Sequence, residues 1–91
     1  MQLSNHAVAR MRQRAISETT VGYLIEWGRE VYDHRGGVIC YFDKASRLQL
    51  RKHVGEERAK EIESQMDTYV VMSISGTVIT VGRRYKRINR H

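Results

Sequence analysis

Thr68-Tyr69-Val70-Val71-Met72-Ser73-Ile74, then Ser75-Gly76, then Thr77-Val78-Ile79-Thr80-Val81: this stretch decides the fold. β-Branched and aromatic residues dominate both runs, and such side chains fit a pleated, half-buried surface. Ser-Gly between them supplies a tight turn. The stretch therefore predicts a β-hairpin with strands at 68–74 and 77–81. Upstream, 30–34 (Glu-Val-Tyr-Asp-His) and 38–42 (Val-Ile-Cys-Tyr-Phe) read as two further strands around Arg35-Gly36-Gly37. There the Gly-Gly pair is expected to supply positive φ.

The period changes to that of a helix at the start of the chain. Ser4 or Asn5 can cap a helix over 5–13, with Ala7, Met11 and Ala15 in one stripe and Val8 at its edge. His6, Arg10, Gln13 and Arg14 fall on a neighbouring face at spacings of three and four. Ser17 caps a second helix, Glu18 suits its first turn, and Gly28 ends it. That helix presents Val21, Leu24, Ile25 and Trp27. Residues 44–65 read as two short helices, or one helix broken at Gly55, with Leu48, Val54, Ala59, Ile62 and Met66 inward. The predicted order is ααββααββ. This is an α+β fold, with the N-terminal helices packed on one face of a four-stranded, mainly antiparallel sheet. The chain lacks proline, repeats and low-complexity segments, so residues 1–91 are expected to form one domain.

Composition narrows the class. Ninety-one residues allow one small core. No apolar run approaches the ~20 residues that span a bilayer, and no basic-then-apolar leader opens the chain. No membrane role is expected, and the expected location is cytoplasmic. The single cysteine, Cys40, excludes an internal disulfide and an all-cysteine metal site; it reads as a buried strand residue. The net charge of +6 is unevenly placed. Residues 1–82 hold eleven cations against ten carboxylates, whereas 83–91 (Arg-Arg-Tyr-Lys-Arg-Ile-Asn-Arg-His) hold five cations and no carboxylate. Such a strip attracts a polyanion over roughly 8–10 Å in physiological salt. RNA, DNA and an acidic protein all qualify.

The chemistry-bearing residues are few. His6, His34, His53 and His91 form no H-x-x-x-H or H-E-x-x-H pair, so no metal or other cofactor is expected. Arg35-Gly36-Gly37 lacks the Lys-Ser/Thr of a phosphate loop. Ser73-Ile74-Ser75-Gly76 makes no nucleophile elbow. The second helix has the cadence of a groove-reading helix, but its centre is too apolar to lie against nucleic acid, and core packing accounts for it better. There remains a His/Arg face. Metal-free RNA cleavage needs a base for the 2′-OH, cations for the phosphorane and an acid for the departing 5′-oxygen. Histidine suits the first or last role, and arginine, with its two-toothed fork, suits the second. His6 and Arg10 can address one phosphate from one helix, and Arg14 continues that face.

The opening, His6-Ala-Val-Ala-Arg10-Met11-Arg-Gln-Arg14-Ala-Ile16-Ser17, resembles a group of small bacterial domains of unassigned function. They begin H-x-x-x-R-M-x-x-R-x-I-S and end near I-I-T-V-Y. The corresponding end here is Val78-Ile79-Thr80-Val81-Gly82, with glycine at the position of the aromatic; Tyr85 is the substitute that the chain offers. Those domains are similar to the barnase–EndoU–colicin–RelE superfold, many of whose members are metal-independent ribonuclease toxins paired with an antitoxin. The resemblance implies a site of His6, Arg10, Arg14 and Thr80, and it alone nominates Thr80.

The leading expectation is an endoribonuclease toxin acting on RNA, free or as ribosome-bound mRNA, with a cognate antitoxin as protein partner. His6, Arg10, Arg14 and Thr80 would be catalytic. Arg83, Arg84, Lys86 and Arg87 would hold RNA backbone, and Tyr85 would stack on a base. The alternative is a non-catalytic module of the same fold that binds nucleic acid or protein. A third is a small structural or phage-type protein with no nucleic-acid role.

Overall fold

The computed structural model describes residues 1–84. The elements in chain order are β1 (Gln2–Leu3), α1 (Asn5–Arg14), α2 (Glu18–Trp27), β2 (Arg29–Tyr32), β3 (Gly37–Tyr41), α3 (Lys44–Val54), α4 (Glu56–Glu61), a 3-10 turn (Glu63–Gln65), β4 (Thr68–Ser73) and β5 (Thr77–Arg83). The fold is α+β. The described residues form one sheet of five strands, in the order β1-β5-β4-β3-β2. The expected four antiparallel strands are present, but the sheet is mixed. β1 pairs in parallel with β5 through Gln2–Thr77 and Leu3–Val78. Two residues are too few to show a period of two, so β1 has no signature in the sequence. No helix among the described residues is long and apolar enough to cross a membrane.

Cross-strand register gathers the apolar side chains on one face. Cys40, Val70 and Val81 lie in one row, and Val38, Met72 and Val78 in the next. Onto that face α1 brings Ala7 and Met11, and α2 brings Val21 and Leu24; Phe42, Leu50 and Ile62 complete the core. Burial of each large side chain contributes roughly 1.5–3 kcal/mol. Leu48, expected inside, is 58% exposed, because it sits on the outer side of α3 while Leu50 turns inward. Val38 and Met72 are only half-buried, at the hairpin end that the helices do not cover.

Local polar groups explain the element ends. The Ser17 hydroxyl caps α2 by accepting from Thr20 N–H at 3.2 Å. Gln65 Oε1 ties the 3-10 turn to the same cap, accepting from Ser17 N–H at 2.8 Å and from the Thr20 hydroxyl at 2.7 Å. Asp43 and Ser46 cap α3 reciprocally, each side chain accepting the other's backbone N–H at 2.8 Å. In the first hairpin the positive φ values fall on His34 and Gly36, and Gly37 belongs to β3. Asp33 is the reason. Its Oδ1 accepts N–H from Arg35 and Gly37, both at 2.8 Å, and these bonds hold its carboxyl below the usual range.

Ala15 follows α1 in left-handed conformation, φ 52°, and is exposed rather than part of the apolar stripe. A Cβ there costs about 1–2 kcal/mol, against about 0.4–1 kcal/mol of extra chain entropy for glycine when unfolded. Ala15→Gly is expected to raise stability by about 0.5–1 kcal/mol in urea denaturation.

Burial pushes the Cys40 thiol up to about 11, with the Glu30 carboxylate adding to the effect. The folded form thus resists ionisation. This contribution to stability is whole below the ordinary value of 9.0 and is lost as pH rises through about 11. Urea midpoints between pH 8 and 11 are expected to fall further for the wild type than for Cys40→Ala; equal slopes would remove the thiol from the alkaline transition.

Candidate nucleic-acid interface

Helix α1 carries the His/Arg face, and Ser4 anchors it. The Ser4 hydroxyl accepts from Ala7 N–H at 3.0 Å and donates to the Ile79 carbonyl at 2.7 Å, while Ser4 N–H donates to the Val78 carbonyl at 3.0 Å. At its other end, α1 presents the Arg14 and Ala15 carbonyls to Arg83. The helix therefore runs alongside β5 in the same direction. His6 lies in its first turn and Arg14 in its last. At 1.5 Å per residue, His6 and Arg10 are separated by about 6 Å along the axis, and His6 and Arg14 by about 12 Å. His6 and Arg14 are exposed and Arg10 is half-buried. Arg10 Nε is shielded from solvent and has no hydrogen-bond partner among the described residues. On the opposite flank of α1, Val8 and Arg12 line an apolar groove of about 440 Å³ with Leu3 and Ile16.

Thr80 is not brought to this face. A register shift lies between Val71 and Met72: Met72 pairs with Val78, but Val71 pairs with Thr80 and Val70 with Val81. Ile79 is the extra residue of a β-bulge. Val78 and Val81 both reach the core, so Thr80 turns to the sheet face away from α1, in a row with Val71, Ile39 and Val31.

The first two residues of the cationic strip both make contacts to protein. Arg83 Nε donates to the Arg14 carbonyl at 3.1 Å, Nη2 to Ala15 at 3.2 Å, and Nη1 to Ser64 at 2.8 Å and to Asp67 Oδ1 at 2.6 Å. Its guanidinium is committed to protein, so it has little left to offer a phosphate. Arg84 Nη2 donates to the Phe42 carbonyl at 2.6 Å, and its guanidinium lies 4.9 Å from the centre of the Tyr41 ring. Tyr85, Lys86 and Arg87 lie outside the described residues.

Tyr69 was not singled out from sequence. It pairs with Gly82, and a side chain at 82 would come within 2.8–2.9 Å of the Tyr69 ring. Register would have revealed this, but the bulge hides it: counting back from the turn without a bulge sets Tyr69 against Val81. Of the remaining histidines, His53 stacks on Trp27 with ring centres 4.1 Å apart and stands away from α1. No protein-family model matches the chain, and neither curated proteins nor solved structures gave a match.

Proposed function

We propose that the protein is an endoribonuclease of toxin type that works without a metal and acts in the cytoplasm beside a cognate antitoxin. The RNA 2′-oxygen attacks the adjacent phosphorus, the P–O5′ bond breaks, and the products are a 2′,3′-cyclic phosphate and a 5′-hydroxyl. His6 moves the proton, as base toward the 2′-OH or as acid toward the 5′-oxygen. Arg10 grips the phosphate and Arg14 the next stretch of backbone. The observation that carries this reading is the unpartnered Nε–H of Arg10 one helical turn from His6. An arginine donor without an acceptor beside an exposed imidazole suits a phosphodiester better than it suits packing.

The non-catalytic module is favoured by a different observation. Helix α1 carries one imidazole, His6, and no carboxylate, and Thr80 lies on the far face of the sheet. End-labelled RNA incubated with the protein in EDTA, with and without ribosomes, decides between the two. Cleavage leaving cyclic phosphate ends supports the enzyme. Intact RNA in both conditions, from folded protein that still binds it, leaves the module.

A further inference from the structure

Where β3 passes into α3, cations from three parts of the chain meet around residues 41–43. Arg84 reaches in from the end of β5, bonding the Phe42 carbonyl and covering the Tyr41 ring. Arg29, from the start of β2, pairs with Asp43 at 3.6 Å. From α3 itself Lys44, Arg47 and Arg51 line a groove of about 310 Å³ with Phe42, Asp43 and Leu48. Their spacings of three and four put them on one side of the helix. Among the described residues, Arg29 alone of the five has an ion pair within 4.0 Å. Arg47 and Arg84 each keep a buried Nε–H without a hydrogen-bond partner among those residues. The carboxylates nearby are already placed or stand aside. Asp43 caps α3 and pairs with Arg29, while Glu56 and Glu63 line the neighbouring cavity on the α4 side, into which Arg47 and Arg51 also face.

Of this cluster the sequence expectations named only Arg84, within the basic surface placed at 83–91. Mixed charges over 44–65 read as an ordinary solvated face, and only the fold brings Arg29 and Arg84 to α3. The two clusters adjoin at one end: Arg83 takes the Arg14 carbonyl at the end of α1, and its chain neighbour Arg84 reaches the corner.

We propose that the β3–α3 corner is a second phosphate-binding surface that holds the phosphodiester backbone of single-stranded RNA. The proposal rests on RNA being the ligand, as above, but not on cleavage. Guanidinium groups with unmet donors favour an oxyanion that accepts several hydrogen bonds. The N-terminus of α3 adds the positive end of its dipole to the same place. Leu48, 58% exposed between Lys44 and Arg51, gives a ribose or base an apolar contact that a purely ionic partner would not use.

Fluorescence anisotropy with a labelled 2′-O-methyl oligouridylate tests this on the full chain, since that oligonucleotide lacks the attacking hydroxyl and cannot be cut. Each phosphate contact on a single strand contributes about −0.7 to the slope of log K against log[salt]. Lys44→Gln/Arg51→Gln, both exposed in the wild type, is expected to flatten the slope by about 1.4, and Arg47→Gln by about 0.7. Arg35→Gln, in the β2–β3 turn, is expected to leave the slope unchanged. Circular dichroism melting checks that each variant is folded. Wild-type binding with an unaltered slope in both α3 variants overturns the corner and leaves RNA binding standing. No binding by the wild type overturns RNA as the ligand. Displacement of the oligonucleotide by polyglutamate at equal charge concentration overturns the choice of a phosphodiester in favour of an acidic protein.

Discussion

His6→Ala is expected to lower RNA cleavage by about 10²–10⁴-fold, the range for loss of a general acid or base, while changing RNA affinity little. His6 is exposed in the first turn of α1, so its removal disturbs neither the core nor the Ser4 cap. Wild-type expression is expected to arrest growth, and His6→Ala to be tolerated. Arg10→Lys is expected to cost activity as well. A lysine ammonium is a point charge and cannot reproduce the planar fork of a guanidinium. Arg10 is half-buried, so a melting curve must accompany that variant; His6→Ala needs no such allowance. EDTA is expected to make no difference to the wild type. Equal cleavage by wild type and His6→Ala would remove His6 from the chemistry, whatever the status of RNA binding at the β3–α3 corner.

The elements with a strong period were legible. Both hairpins, both N-terminal helices, the Ser17 cap and the break at Gly55 follow from periodicity and from residues with one dominant local preference. Three features were not, each for a physical reason. β1 is fixed by its pairing with Thr77 and Val78 rather than by its own sequence. The bulge at Ile79 is held from outside the hairpin, where Ser4 takes the carbonyls of Val78 and Ile79. That single extra residue turns Thr80 away from α1. A straight count from Ser75-Gly76 would set Thr80 beside Val70, on the helix side. The third is the difference between a cation that meets solvent and one that meets protein. Arg83 and Arg84 belong to one basic run in the sequence, and only tertiary contacts reveal that Arg83 faces four protein acceptors.

Arg83→Ala is expected to destabilise the protein by about 2–4 kcal/mol, the largest effect of any substitution at a charged residue proposed here. Its guanidinium joins the end of α1, through the Arg14 and Ala15 carbonyls, to the approach into β4, through Ser64 and Asp67. A hydrogen bond to a charged group contributes about 1.5–3 kcal/mol when buried. Here Asp67 is 42% exposed and Arg83 18%, and the three carbonyl bonds also face solvent, so each of the four bonds contributes about 0.5–1 kcal/mol, and the four together account for the loss. Those carbonyls matter because two of them close a helix that ends on Ala15 in a strained conformation. Without Arg83 the last turn of α1 loses its tie to β5, and amide exchange there is expected to quicken before that of the core strands. Arg83→Lys is expected to recover little, since one ammonium cannot span acceptors on two sides of the strand end. Urea denaturation gives the total, and residue-resolved exchange gives the location. A loss below about 0.5 kcal/mol, the range of an ordinary surface substitution, would return Arg83 to the cations free to meet RNA. A large loss confined to α1 and the β5 end would establish it as the bolt that holds the Arg10–Arg14 face in place.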